Sequence, residues 1–178
     1  MISPLAHLAW ISRIRANFIL NDKGMIMILE KIARKDVITV TEGATMQEAA
    51  KAMRDHHVGS VVVIDQRGNR KMPVGMVTDR DIVVSTSAFG IPPNSVYVKD
   101  VMSSTLVMAK AGDSFNHVLN LMKEHGVKRI PLVDSEGSLV GMISTHELMS
   151  VLSDELSVVV GVTERQHQVE SDRRPRLV

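Results

Sequence analysis

The sequence predicts an α/β (α+β) fold of two pseudo-symmetric βαββα repeats packed sheet to sheet. Three observations predict it. The stretch Val74 to Asp81, Val-Gly-Met-Val-Thr-Asp-Arg-Asp, is answered by Val140 to Glu147, Val-Gly-Met-Ile-Ser-Thr-His-Glu. Upstream, Val58 to Asp65 answers Val127 to Asp134, and Gly43, Met53 and His56 answer Gly112, Met122 and His125, all 69 positions apart. The spacing falls to 66 after Gly68 and Gly137, because repeat 1 carries three extra residues, read as loop, around Asn69 to Pro73. One gap in a polar turn is what a duplication leaves. Third, helical spacing of apolar residues alternates with short β-branched runs in both halves.

Met1 to Gly24 has no clean period, and Asn21-Asp22-Lys23-Gly24 reads as a turn. This segment is open between a loose helix, an upstream extension and an overlong start with Met25 or Met27 as the true first residue. Ile26 to Ala33 is expected as a short helix. Asp36 to Val40 is strand-like, and Thr45 with Glu48 forms a capping box for a helix over Met46 to His56. The apolar residues Met46, Ala49, Ala50 and Met53 of that helix share one face. Val58 to Ile64 is apolar and β-branched, which suits a strand buried on both faces. Asp65 to Lys71 is expected as a polar turn, Val74 to Val77 as a strand and Asp79 to Ser87 as a helix. Gly90-Ile91-Pro92-Pro93-Asn94 breaks the chain.

Repeat 2 follows suit. A strand is expected over Thr105 to Ala109, then a helix capped by Gly112-Asp113-Ser114 and running to His125. Arg129 to Val133 is the buried strand, Leu139 to Ile143 its neighbour, and Thr145 to Leu152 the closing helix. Glu155 to Gly161 is expected to add a short element, and the basic end, Gln166 to Val178, to fray. The boundaries drawn are residues 1–27 (extension), 28–95 (repeat 1), 96–155 (repeat 2) and 156–178 (tail).

Composition narrows the function. The chain has 178 residues, 44% of them hydrophobic but only 3% aromatic, with Trp10 the sole Trp. The core is therefore built from Val, Ile, Leu, Ala and Met, and the twelve Met residues read as adaptable core filler. A net charge of +1 gives no pull toward nucleic acid or an anionic membrane. The absence of Cys excludes disulfides, zinc thiolates and thiol catalysis. No apolar run reaches the ~18 residues of a membrane span. Arg13 and Arg15 interrupt the mildly apolar start where a signal peptide wants an unbroken core. A cytoplasmic location is expected. The seven His residues show no ligand spacing, and no nucleophile or carboxylate pair has a catalytic context. Neither a metal nor an enzymatic activity is expected.

The order of elements and the duplicated Gly-Met-Val-Thr-Asp-Arg-Asp turn resemble a tandem pair of CBS domains, a Bateman module, over roughly Ile32 to Leu152. The chain looks like a stand-alone bacterial-type CBS protein. The resemblance implies a non-catalytic regulatory module that senses an adenosine-containing ligand, AMP, ADP, ATP or S-adenosylmethionine, in the cleft between repeats. It also implies a disc-like homodimer, expected here through the amphipathic helices. The alternative is a dimeric scaffold with vestigial clefts that contacts an unidentified protein partner.

The resemblance also implies site residues. Asp81 would receive the ribose hydroxyls, and Thr78 would meet ribose or phosphate with its hydroxyl and the helix amides. Lys128 and Arg129 would bind phosphate, Arg129 the better because a guanidinium forks two bonds to it. Gly75 and Met76 would line the base or ribose, and Pro131 completes the set. A weaker second cleft would use Ser144 and Glu147 with Gly59 and Ser60, and would lack a cation. Thr78 with Asp81, and Ser144 with Glu147, are also plain capping arrangements that need no ligand. Lys128 and Arg129 also read as a solvated strand end, and Met76 as core.

Overall fold

The computed structural model describes residues 18–21, 24–27, 29–103 and 105–173. Most of the expected extension, with Trp10, and the end 174–178 lie outside the described residues. The chain divides into two compact units, one ending at Ile143 and one starting at Ser144.

In the first unit, β1 (Phe18–Asn21) and β2 (Gly24–Met27) pair antiparallel, and the middle of the expected turn, Asp22 and Lys23, lies outside the described residues. The helix expected over Ile26 to Ala33 is confined to α1 (Leu29–Ile32), because residues up to Met27 pair as strand.

Repeat 1 is β3 (Thr39–Thr41), α2 (Met46–Asp55), β4 (Ser60–Arg67), β5 (Arg70–Thr78) and α3 (Asp79–Ser85). Repeat 2 begins with β6 (Ala109–Lys110), α4 (Phe115–His125), β7 (Arg129–Val133) and β8 (Leu139–Ser144). Each repeat has a three-stranded sheet, ordered β3-β4-β5 and β6-β7-β8. The pairing repeats with the sequence: Val40 opposes Val63, and Ala109 opposes Leu132, each position moved by 69. Both opening strands lie a few residues later than the expected Asp36 to Val40 and Thr105 to Ala109. Parallel pairing with the buried strand selects the residues beside it, whatever the propensity of those before them.

The three extra residues of repeat 1 are strand, not loop. β5 has nine residues and β8 six. Arg67 pairs with Arg70, so the expected seven-residue polar turn shrinks to Gly68-Asn69, with Gly68 at φ +60°. The lengthened hairpin reaches repeat 2, where Arg70 forms an ion pair with Glu136.

The buried strands behave as the sequence predicts. Val61, Val62 and Val63 are fully buried and Ile64 nearly so, as are Ile130, Leu132 and Val133 in β7. Met46, Ala49 and Met53 of α2 pack with Val61, Val63, Val77 and Val98, while Ala50 is only half-buried. α2 has a full capping box: Glu48 accepts from the Thr45 amide at 2.7 Å, and the Glu48 amide donates to Thr45 Oγ1 at 3.2 Å. α4 is capped by Ser114, which accepts from the His117 amide. After these helices His57 and Gly126, 69 apart, both take the left-handed conformation (φ 53° and 64°). Glycine adopts it freely and histidine at a cost.

Each repeat lends its lead-in to the other. Arg34 and Met142 exchange two backbone hydrogen bonds of 2.9 Å, and Ser103 donates to Met76 O at 3.2 Å. Arg34 and Ser103 are again 69 apart. The close approach explains two glycines: a Cβ on Gly141 would meet Ala33 Cβ and Arg34 O at 3.2 Å, and one on Gly75 would lie 2.5 Å from Met102 Sδ.

The second unit holds α5 (Thr145–Arg173), a helix of 29 residues. It replaces the expected closing helix, the short element at Glu155 to Gly161 and the start of the fraying end. No proline occurs between Pro131 and Pro175, so nothing in the sequence forces an earlier stop.

Candidate functional site

The two echoed turns fold as local capping units. In repeat 1 the Asp81 Oδ2 accepts from the Thr78 amide at 2.8 Å and from Thr78 Oγ1 at 2.7 Å, while the Asp81 amide donates to Thr78 Oγ1 at 3.3 Å. One carboxylate oxygen is thus committed to the cap, and Oδ1 is left for another donor. In the second unit Glu147 Oε2 accepts from the Ser144 amide at 2.9 Å and from the Ser144 hydroxyl. The reciprocal bond differs there, since Ser144 Oγ accepts from the His146 amide. The box there lacks its reciprocal bond because the Ser144 hydroxyl takes the second amide of the helix, where Thr78 takes the third.

Gly75 is buried under Met102. It serves the approach of the protein's own strap, not an open cleft wall. Met76 is half-buried, and Pro131 is buried within β7. Ser60 pairs with Thr78 across β4 and β5. Lys128 and Arg129 are exposed at the start of β7.

Arg129 reaches repeat 1. A Cβ built on Gly59 would lie 3.9 Å from Arg129 Nη2 and 3.2 Å from Asp79 Oδ2. Gly59, expected on the cation-free side, therefore has a guanidinium beside it, and its missing side chain leaves room between that group and a carboxylate. Asp79 follows Thr78 directly, so the basic group of one repeat and the Thr78–Asp81 turn of the other border one place. Asp79 is held from two sides: its amide donates to Gly59 O at 3.1 Å, and its Oδ1 accepts from the Arg80 amide at 2.8 Å. Sequence reasoning missed Asp79. An acidic residue in a first helical turn reads as a capping charge, and only the packing shows Oδ2 directed toward Gly59.

Among the described residues, no three His, Cys, Asp or Glu side chains converge as a metal site. No helix there is long and apolar enough to cross a membrane. Among shifted carboxyls, Glu48 is held below the usual range because its carboxylate accepts from the Thr45 backbone and then the Thr45 hydroxyl.

Comparison with known proteins agrees with this architecture. Residues 29–85 and 98–154 match the CBS domain family. The CBS domain-containing protein YhcV of Bacillus subtilis is 38% identical over 133 residues, covering 74% of this chain and 90% of that protein. The protein MK0525 of Methanopyrus kandleri is 33% identical over 121 residues, covering 68% of this chain; the chain spans only 60% of MK0525. Among solved structures, Hypoxic Response Protein I, crystallised with two coordinated zinc ions, superposes with a TM-score of 0.61 at 30% identity, covering 70% of this chain and 98% of that one. With both repeats matched and the parallel strand pairs of both sheets in the same register, the chain is a tandem CBS-domain protein and belongs to the CBS domain family.

Proposed function

We propose that this CBS pair is a non-catalytic regulatory module that senses an adenosine-containing ligand, of the AMP, ADP, ATP or S-adenosylmethionine class, between its repeats. CBS pairs are regulatory modules, and that membership supports a ligand of this class. The observation that carries the reading for this chain is the placement of Arg129, from repeat 2, beside Gly59 and Asp79 of repeat 1. A ribose on the open Asp81 Oδ1 would have a guanidinium nearby for phosphate, with Lys128 as a second cation. Thr78 orients Asp81 through its hydroxyl and amide. The turn at Ser144 and Glu147 is the weaker site, because its carboxylate is longer and its box incomplete.

A thermal-shift screen against AMP, ADP, ATP, S-adenosylmethionine and NAD tests the reading. A true ligand at 100 times its Kd adds about 2.7 kcal/mol of stability. No shift with any of them at millimolar concentration refutes it.

One observation favours a homodimer as the working form, a state that the sensing and scaffold readings share. Val83 and Val84 of α3, and Met149, Leu152 and Leu156 of α5, are exposed apolar side chains on helices. Apolar surface of this kind marks interfaces. Light scattering that gives a monomer at every accessible concentration refutes the dimer.

A further inference from the structure

We propose that Asp79 is a specificity-determining residue that limits the cleft to ligands bearing at most one phosphate. The inference rests on the adenosine-binding reading above and goes beyond it by choosing within the class.

Asp79 is exposed, but its carboxylate is held in one orientation. Its backbone is tied to Gly59, and its Oδ1 is taken by the Arg80 amide, which leaves Oδ2 turned toward Gly59. Arg129 Nη2 stands on the same side of Gly59. The charged groups nearest Gly59 are the Asp79 carboxylate and the Arg129 guanidinium, which offset each other. Without Asp79 the sum is +1. A single phosphate gains Arg129 and meets one fixed carboxylate. Each further phosphate adds negative charge near that carboxylate without adding a cation to offset it. Like charges a few ångströms apart oppose each other even where water screens them. A sulfonium ligand would instead be attracted to Asp79.

The turn of repeat 2 has no such device. The residue 66 positions after Asp79 is Thr145, and the residue 69 after Gly59 is Lys128. The countercharge is therefore a property of the Asp79 turn alone.

The test compares wild type with Asp79→Asn by isothermal titration with AMP and ATP, at low salt and at about 0.5 M salt. Asparagine can still accept from the Arg80 amide through its carbonyl oxygen, so the turn is retained, and an unchanged melting temperature verifies it. Wild type is expected to bind AMP more tightly than ATP. The substitution is expected to improve ATP relative to AMP about tenfold at low salt. The improvement should shrink at high salt, where exposed charges are screened. An ATP-to-AMP ratio unchanged by Asp79→Asn in a folded protein overturns the proposal and leaves the adenosine reading intact. Failure of wild type to bind either nucleotide, or S-adenosylmethionine, overturns both.

Discussion

Gly75→Ala offers a sharp test of the packing beside the proposed site. Gly75 is buried in β5, and a Cβ there would lie 2.5 Å from Met102 Sδ, 2.9 Å from Met102 Cγ and 3.1 Å from Met102 Cβ. The sulfur can swing away, but Cγ and Cβ are anchored near a backbone that bonds on through Ser103 to Met76. Overpacking of this kind costs about 1–3 kcal/mol. The φ of Gly75 is not in the left-handed region, so alanine is free of backbone strain and regains about 0.5–1 kcal/mol of chain entropy. The net expectation is a loss of about 1–2 kcal/mol, or roughly 2–8 °C in Tm for a chain of this size. Met102→Ala removes Sδ and Cγ and should relieve most of the clash. The double variant should then be more stable than the sum of the single losses by about 1 kcal/mol. Urea denaturation of the four proteins, with equal m-values, measures this directly. Additivity within about 0.5 kcal/mol would show that Met102 does not restrain Gly75, and the strap would lose its role.

Arg129→Ala and Asp81→Ala should each weaken nucleotide binding by one to two decades, since a charge-assisted hydrogen bond contributes about 1.5–3 kcal/mol, while Glu147→Ala changes it little. Titration showing the reverse order moves the site to the other turn. The lowered Glu48 pKa means that this carboxylate stabilises the fold at pH values above its ordinary titration range. That contribution is lost as pH falls through its depressed folded value. Melting curves of Glu48→Gln should therefore decline less steeply on acidification than wild type, and parallel curves would contradict this. Val83→Asp and Leu152→Asp should convert the proposed dimer to a folded monomer, because exposed substitutions cost a monomer little; sedimentation showing an intact dimer would place the interface elsewhere.

Much of the fold was legible because duplication gives every element a second reading. Met46 and Phe115 open helices 69 positions apart, and the caps at Thr45 and Ser114 are local hydrogen bonds that the residue types dictate. The buried strands were legible because continuous β-branched runs suit little else. The length of α5 was not. The closing helix was expected to end at Leu152, but the serines and the glycine that follow do not stop it: serine is only a mediocre helix former and one glycine costs about 1 kcal/mol. The hairpin β4–β5 was misjudged because charged Arg67, Arg70 and Lys71 mimic a loop, while their strands are held by pairing that the sequence does not display. The duplicated turn drew attention to Asp81, while its proposed role and that of Arg129 came from the family resemblance. The role proposed for Asp79 rests on what lies opposite Gly59, a non-local fact.

The exchanged lead-ins at Arg34 and Ser103 say something about how such a chain could arise. If the link between repeats were cut and the halves made identical, the same hydrogen bonds would join two separate molecules, each donating an arm to its twin. The present chain has the topology of that swapped pair fused end to end. Fusion freed the halves to diverge: Ser60 and Arg129, Asp79 and Thr145, hold equivalent places and now differ in charge. A symmetric ancestor would have had two identical clefts, and only a covalent tandem can specialise one of them without altering the other.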